Sequence, residues 1–217
     1  MTKDICTRLL LSISNHATEV AIKDKNTSLT YAELAAAIGC LSHKMKETCQ
    51  GSIEGKYVLV YASSPLEAIV SQITVIMNSG ICVPLDHQIP LSSYNLELIE
   101  NIACIVTDNN EAIDQINVPI LPVSSIWDAE ELLNHEIYPY VSHRYSEYTH
   151  YIMTPETAGA SKPVLLSHES VINEIDAKMK LLNIDNQNKV CLSINLSLVA
   201  SIWQIYSTLF VGGTLIV

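Results

Sequence analysis

Apolar positions along the chain switch repeatedly between a helical and a strand rhythm. Ile5, Leu9 and Ile13 stand at helical spacing within residues 3–15, which predicts a first helix. Thr30 and Glu33 form a T-x-x-E capping box behind Leu29, so a second helix is expected from there to about Glu47. YVLVY (57–61) reads as a short buried strand. Ser64, Pro65 and Glu67 then supply an N-cap, a proline in the first helical position and a capping-box acid. Leu66, Ile69, Ile73, Ile76 and Met77 recur on one face of that helix, and Gly80 is expected just past its end, at the C′ position. ICVPL (81–85) reads as a strand cut short by Pro84. A helix around 93–101 and the strands ACIVT (103–107) and VPILPV (118–123) complete the first half.

The second half opens on a weakly periodic stretch rich in Tyr and His, so a loop or linker is expected near 138–150. YIM (151–153) is strand-like, and Ser167 caps a helix that carries Val171, Ile172, Ile175 and Met179. KVCLSI (189–194) reads as a strand, 199–211 as a helix and TLIV (214–217) as a last strand. Strands alternating with helices of this length imply an α/β fold, a mostly parallel sheet flanked by helices, with residues 1–217 as one unit.

Composition narrows the picture. Hydrophobic residues make up 48% of the chain and charged residues 16%, which excludes a disordered chain. Mean hydropathy is +0.24, so either the core is large or some apolar surface expects a partner. The strand ending at Val217, taken as an uncovered sheet edge, points the same way. The net charge of −11 and the lack of a Lys/Arg cluster exclude nucleic acid and anionic membrane as expected partners. LEAIVSQITVIM (66–77) is interrupted by Glu67, Ser71, Gln72 and Thr74, and no segment approaches the ~20 apolar residues of a membrane span. No signal peptide is read at the N-terminus. The six cysteines show no C-x-x-C and no zinc spacing, so they are expected to be reduced thiols in a cytoplasmic protein, with no metal site.

The stretch with readable chemistry is TPETAGASKP (154–163). A strand-like lead-in, a small-residue turn, a lysine and a helix start have the layout of a phosphate loop, in which backbone N–H groups converge on phosphate oxygens. Thr154, Thr157, Gly159 and Lys162 suit that task, and Lys162 is the only Lys or Arg between Arg144 and Lys178. Glu156 does not suit it. A carboxylate about 4 Å from a phosphate costs about 1 kcal/mol in water and several times more in a drier site. Pro155 and Pro163 each remove a backbone donor. Asp86 reads as a turn residue. No His stands at triad spacing from a nucleophile, so no catalytic residue is assigned.

Four stretches in order, LTYAEL (29–34), NSGICVPLD (78–86), the loop with Ser167 and His168, and VASIWQIYSTLFVGGTLIV (199–217), resemble the adenylate-forming enzymes. Among these they look most like adenylation domains of nonribosomal peptide synthetases. The resemblance runs from about Leu29 to Val217. It implies the N-terminal half of the large adenylation-domain subdomain, which binds ATP with magnesium and a carboxylic acid and forms an acyl-adenylate. The family's loop reads roughly T-S-G-[ST]-[ST]-G-x-P-K-G. Thr154, Thr157, Gly159 and Lys162 match it, whereas Pro155, Glu156, Ala158, Ser161 and Pro163 depart from it.

The resemblance also implies a Phe-Asp-x-Ser-x-Trp stretch whose Asp holds the substrate's α-ammonium. Ser201 and Trp203 match, but Leu198 and Val199 replace Phe and Asp. Val199, Ala200 and Trp203 are the candidate substrate-binding residues. The expected reading is a truncated, degenerate adenylation module without activity. It would serve a structural or docking role with neighbouring synthetase domains or a second copy of the chain. The alternative is the ATP-binding half of a split ligase acting on a carboxylic acid that lacks an α-amine.

Overall fold

The computed structural model describes residues 4–108, 117–123, 146–153 and 163–217. Five α-helices and ten strands are found there: α1 Ile5–Asn15, β1 Val20–Lys23, β2 Ser28–Thr30, α2 Tyr31–Thr48, β3 Tyr57–Tyr61, α3 Pro65–Met77, β4 Ile81–Pro84, β5 Ile102–Thr107, β6 Ile120–Pro122, β7 Tyr148–Met153, β8 Pro163–Ser167, α4 His168–Leu182, β9 Lys189–Cys191, α5 Val199–Phe210 and β10 Thr214–Ile216. The strands form two sheets, one in the order β2-β1-β10-β9 and one in the order β6-β5-β3-β4-β7-β8. Only β1–β2 and β7–β8 pair antiparallel; the other pairings are parallel. The fold is therefore α/β with mostly parallel sheets flanked by helices, as the alternating pattern implies.

Side-chain alternation explains how the larger sheet is covered. On β3, Val58 and Val60 join the main apolar cluster, while Leu59 and Tyr61 face a second cluster with Val83, Leu91 and Ile105. Both faces are buried, as a parallel sheet requires. The main cluster continues through all five helices to Ile22 and Leu215 in the smaller sheet. Helix α3 is buried at every residue except Pro65 and Glu67. Arg8, itself buried, forks onto Asp176 through two hydrogen bonds, one of them 2.9 Å, and ties α1 to α4. Those bonds from Arg8 hold the Asp176 carboxyl below the usual carboxylate range.

Local chemistry sets the helix ends. Thr30 Oγ1 accepts from Glu33 N at 3.2 Å and Glu33 Oε2 accepts from Thr30 N at 2.7 Å, completing the expected capping box. The end of α3 differs from expectation by one residue. Ser79, not Gly80, takes the left-handed position at φ 62°. Ser79 N donates to Ile76 O at 3.0 Å and Gly80 N to Val75 O at 2.9 Å, the paired bonds of a Schellman motif. Gly80 is required for space instead. A Cβ there would sit 2.7 Å from Ile53 Cδ1 and 2.9 Å from Val75 Cγ1.

Other expectations shift for physical reasons. The helix expected around 93–101 is replaced by two single 3₁₀ turns, Leu91–Ser93 and Leu96–Leu98. Tyr94 between them is extended, at φ −91° and ψ 134°, and its hydroxyl is held by the Asp86 backbone. Strand β7 starts at Tyr148, so the last three residues of the 138–150 stretch belong to a strand; 138–145 lie outside the described residues. The final strand β10 is paired on both sides, by β1 and β9, and is not a sheet edge. Part of the high apolar content is thus accounted for by two-faced burial.

Two glycines separate packing from propensity. Gly80→Ala is expected to lose about 1–3 kcal/mol through overpacking against Ile53 and Val75. Gly39 lies inside α2, and a Cβ there meets nothing within 4 Å. Gly39→Ala is expected to gain roughly 0.5–1 kcal/mol. Urea unfolding midpoints of the two variants check both signs.

Candidate functional site

The loop that carries Thr154, Thr157, Gly159 and Lys162 lies outside the described residues, but its two anchors do not. It connects Met153 at the end of β7 to Pro163 at the start of β8, and these two residues face each other in an antiparallel pair. The layout therefore differs from a strand–loop–helix unit. The next helix, α4, begins only after the five residues of β8, about 17 Å further along. Its N-terminal dipole lies toward the other end of the hairpin from Met153 and Pro163. At the far end, Ser167 Oγ accepts from Ser170 N at 3.2 Å and caps α4, as the sequence implies.

Strand β7 brings one unexpected group into the interior. His150 pairs in register with Cys82 of β4 and is fully buried. Its Nδ1 lies 2.9 Å from Thr149 Oγ1, while Nε2 has no hydrogen-bond partner among the described residues. Its ring stands edge-on to Tyr206, with centroids 6.3 Å apart. Burial, helped by the nearby His168, pushes the His150 imidazole down to about 3.

The candidate substrate residues form the first turns of α5. Val199 opens the helix, and Leu198 gives it no side-chain cap. The first turn contains no acidic residue. Val199 and Trp203, one turn apart, are half-buried against the main cluster. Ala200 is half-buried beside them. Lys178 Nζ sits 5.4 Å from the centre of the Trp203 ring, a cation–π distance. Ser201 Oγ donates to Leu198 O at 2.8 Å and to Leu196 O at 3.2 Å, so it shapes the helix entry.

A separate crevice opens at the carboxyl ends of β3 and β4, facing the loop after β9 and Val217 beyond β10. In open parallel sheets that end is where ligands bind. The cavity holds about 270 Å³. Asp86 and Asn195 join its two sides, with Asn195 Nδ2 donating to Asp86 Oδ2 at 2.7 Å. Asp86 Oδ1 accepts from Gln88 N at 2.9 Å, the turn role expected of it. Burial alone would raise the Asp108 carboxyl, but hydrogen bonds from Ser63 Oγ, Ser63 N and Ser64 N outweigh it and hold it below the usual range. Burial pushes the Tyr94 phenol up to about 12, so it remains a neutral donor and acceptor beside Asp86.

Gln72 of α3 lines this crevice at 2% exposure, and neither atom of its amide has a hydrogen-bond partner among the described residues. Unpaired buried polar groups cost on the order of 1–3 kcal/mol each. The sequence marks Gln72 only as a polar break in an apolar run; its position on a helix buried all round is the signal for a site. Ser193 falls in the strand expected over 189–194, but the strand ends at Cys191, and Ser193 and Asn195 lie on the loop that follows. Among the described residues no Lys or Arg lines the crevice, a poor fit for the phosphates of a nucleotide. Val199, Ala200 and Trp203 do not line it either. Among the described residues no group of His, Cys, Asp and Glu could hold a metal ion.

Comparison with known proteins adds the family. A family described as AMP-binding enzyme matches residues 12–217. Malpinin synthetase of Mortierella alpina is 27% identical over 200 residues, covering 90% of this chain and 2% of that protein. D-alanine–D-alanyl carrier protein ligase of Staphylococcus epidermidis is 27% identical over 217 residues, covering 95% and 42%. The chain thus spans less than half the length of these curated relatives. The Klebsiella oxytoca NpsA N-terminal subdomain in complex with 3-hydroxyanthranilyl-AMSN superposes with a TM-score of 0.81 at 18% identity, over 100% of this chain and 54% of that one. The nonribosomal peptide synthetase FmoA3 gives the same TM-score over 98% and 22%. These likenesses establish the shared fold. No helix among the described residues is long and apolar enough to cross a membrane.

The buried His150 makes stability depend on pH. Unfolded histidine titrates near 6.5, and His150 in the fold near 3. Stability is complete above about pH 6.5 and falls as the pH drops toward 3, by roughly 1.4 kcal/mol per unit. Asp176 and Asp108, with depressed values, add losses only at lower pH. His150→Phe is expected to flatten the fall in thermal midpoint between pH 6.5 and 4.5. An unchanged slope contradicts this.

Proposed function

The chain belongs to the AMP-binding enzyme family, and on that premise we propose that it is an adenylation-like module that no longer forms an adenylate. Its role is structural or docking, beside neighbouring domains of a peptide synthetase. The observation that carries this reading is the first turn of α5. Where the family resemblance implies an acid that holds a substrate ammonium, Val199 packs half-buried against the shared core, and the turn holds no acidic residue. A valine side chain accepts no hydrogen bond and offers no charge, and an unpaired ammonium there would face a large desolvation penalty.

The loop supports the same reading. By sequence, Glu156 adds a carboxylate to a loop in which the resemblance implies a glycine, and Pro155 and Pro163 remove two N–H donors. Pro163 is also the first residue of β8, where the missing donor is tolerated. Malpinin synthetase aligns to this chain over only 2% of its own length, so the matched segment there is a small part of a much longer protein. That setting supports neighbouring synthetase domains as partners. The apolar Val199 also leaves a second reading, the ATP-binding part of a split ligase whose carboxylic acid lacks an α-amine.

Isothermal titration of Mg-ATP separates the two. The wild-type chain is expected to bind more weakly than about 1 mM. A variant with Pro155→Ser, Glu156→Gly and Pro163→Gly is expected to gain measurable affinity. Binding by the wild type that Lys162→Ala abolishes would sink the inactive reading and favour the split ligase.

A further inference from the structure

The crevice between the two sheets has the features of a built pocket that is independent of the phosphate loop. Its polar floor is Gln72 on α3, where Ser71 and Thr74 pair with the helix backbone and Asn78, just past the helix end, pairs through Nδ2 but not through Oδ1. Ser71 Oγ donates to Glu67 O at 2.7 Å, Thr74 Oγ1 to Val70 O at 2.8 Å, and Asn78 Nδ2 to Thr74 O at 2.8 Å. The matching glutamine on α5, Gln204, is paired as well. Its Oε1 accepts from Ser193 N at 3.4 Å and its Nε2 donates to Ser193 Oγ at 3.3 Å. Gln72 alone among these keeps both amide atoms unpaired, at 2% exposure, in the wall of the cavity.

The rest of the lining sets the ligand's character. Val60, Ala68, Leu85, Leu192 and Val217 supply apolar walls, and no Lys or Arg is among the described lining residues. A phosphate or carboxylate would lose its hydration there with no Lys or Arg in return; His87, Ser63, Ser193 and Asn195 are the other polar side chains of the lining. The volume of about 270 Å³ is about nine times the share of one water, enough for a planar ring. A glutamine amide presents a donor and an acceptor side by side in one plane, and its complement is another amide-like edge. We propose that this crevice binds a small uncharged molecule whose planar carboxamide edge pairs with the Gln72 side chain while its apolar body packs against the cavity walls.

The proposal does not depend on the loop at 154–162, so the ATP titration and the following test can fail separately. Benzamide is the probe, benzoate the charged control, and adenine the arm that asks whether a nucleobase supplies the same edge. Binding is read by saturation-transfer NMR and by heat on the wild-type chain, on Gln72→Met, and on Ala68→Val, which narrows the cavity and keeps the amide. The expected result is benzamide binding that falls at least about tenfold in Gln72→Met, with a thermal midpoint no lower than wild type. Ala68→Val weakens it too, and benzoate binds at least about tenfold more weakly than benzamide. Tighter binding of adenine than of benzamide would replace the carboxamide by a nucleobase. No binding of benzamide or adenine at about 10 mM, equal binding by Gln72→Met, or benzoate binding as tightly as benzamide would each overturn the proposal.

Discussion

One apolar cluster holds both sheets of this protein together. It runs from Val58 and Val60 on β3, through the helices, to Ile22 and Leu215 on β1 and β10. Helix α3 shows the constraint in its strongest form, since only Pro65 and Glu67 escape burial. A helix buried all round carries apolar residues on every face, and α3 does so apart from Glu67, the hydroxyls of Ser71 and Thr74 and the amide of Gln72. Neither sheet could keep its parallel strands covered without the helices it shares with the other. The mean hydropathy of +0.24 follows from this arrangement to a large extent.

The same constraint decides where chemistry can sit. Interior positions tolerate polar groups only when they are paired, and most of those on α3 pair with their own backbone. The exceptions, His150 Nε2, Tyr206 Oη and the Gln72 amide among them, mark places where packing has been overruled. Gln72 opens onto the crevice between the sheets, whereas His150 and Tyr206 face one another inside the core. Val199 shows the reverse case. It opens α5, and the core has claimed it as one more apolar contact.

Much of the fold could be read from spacing and caps. The Thr30–Glu33 box, the Ser64–Pro65 start and the Ser167 cap are local signals, and the structure realises each of them. Strand β8 escaped detection because Pro163 and the preceding lysine made PVLLS look like the approach to a helix. The two 3₁₀ turns escaped because Tyr94 is held by Asp86, a contact that no local pattern displays. Gly80 was read as a conformational glycine, but a clash with Ile53 from another segment is what requires it. The crevice was hidden for a similar reason. Asn195 and Asp86 are 109 residues apart, and only the docking of the two sheets brings them together.

The proposed loss of adenylation rests on two departures from the family resemblance: Val199 stands where it implies an acid, and Glu156 adds a carboxylate where it implies a glycine. Carboxylate-dependent exchange of pyrophosphate into ATP tests that claim most directly. It should be run on the full-length protein that carries these residues, against panels of α-amino acids and of aryl and hydroxy acids. The expected result is no exchange above the rate without a carboxylate, in protein whose cooperative unfolding confirms an intact core. Exchange that depends on one of these acids and disappears in Lys162→Ala would contradict the loss of adenylation.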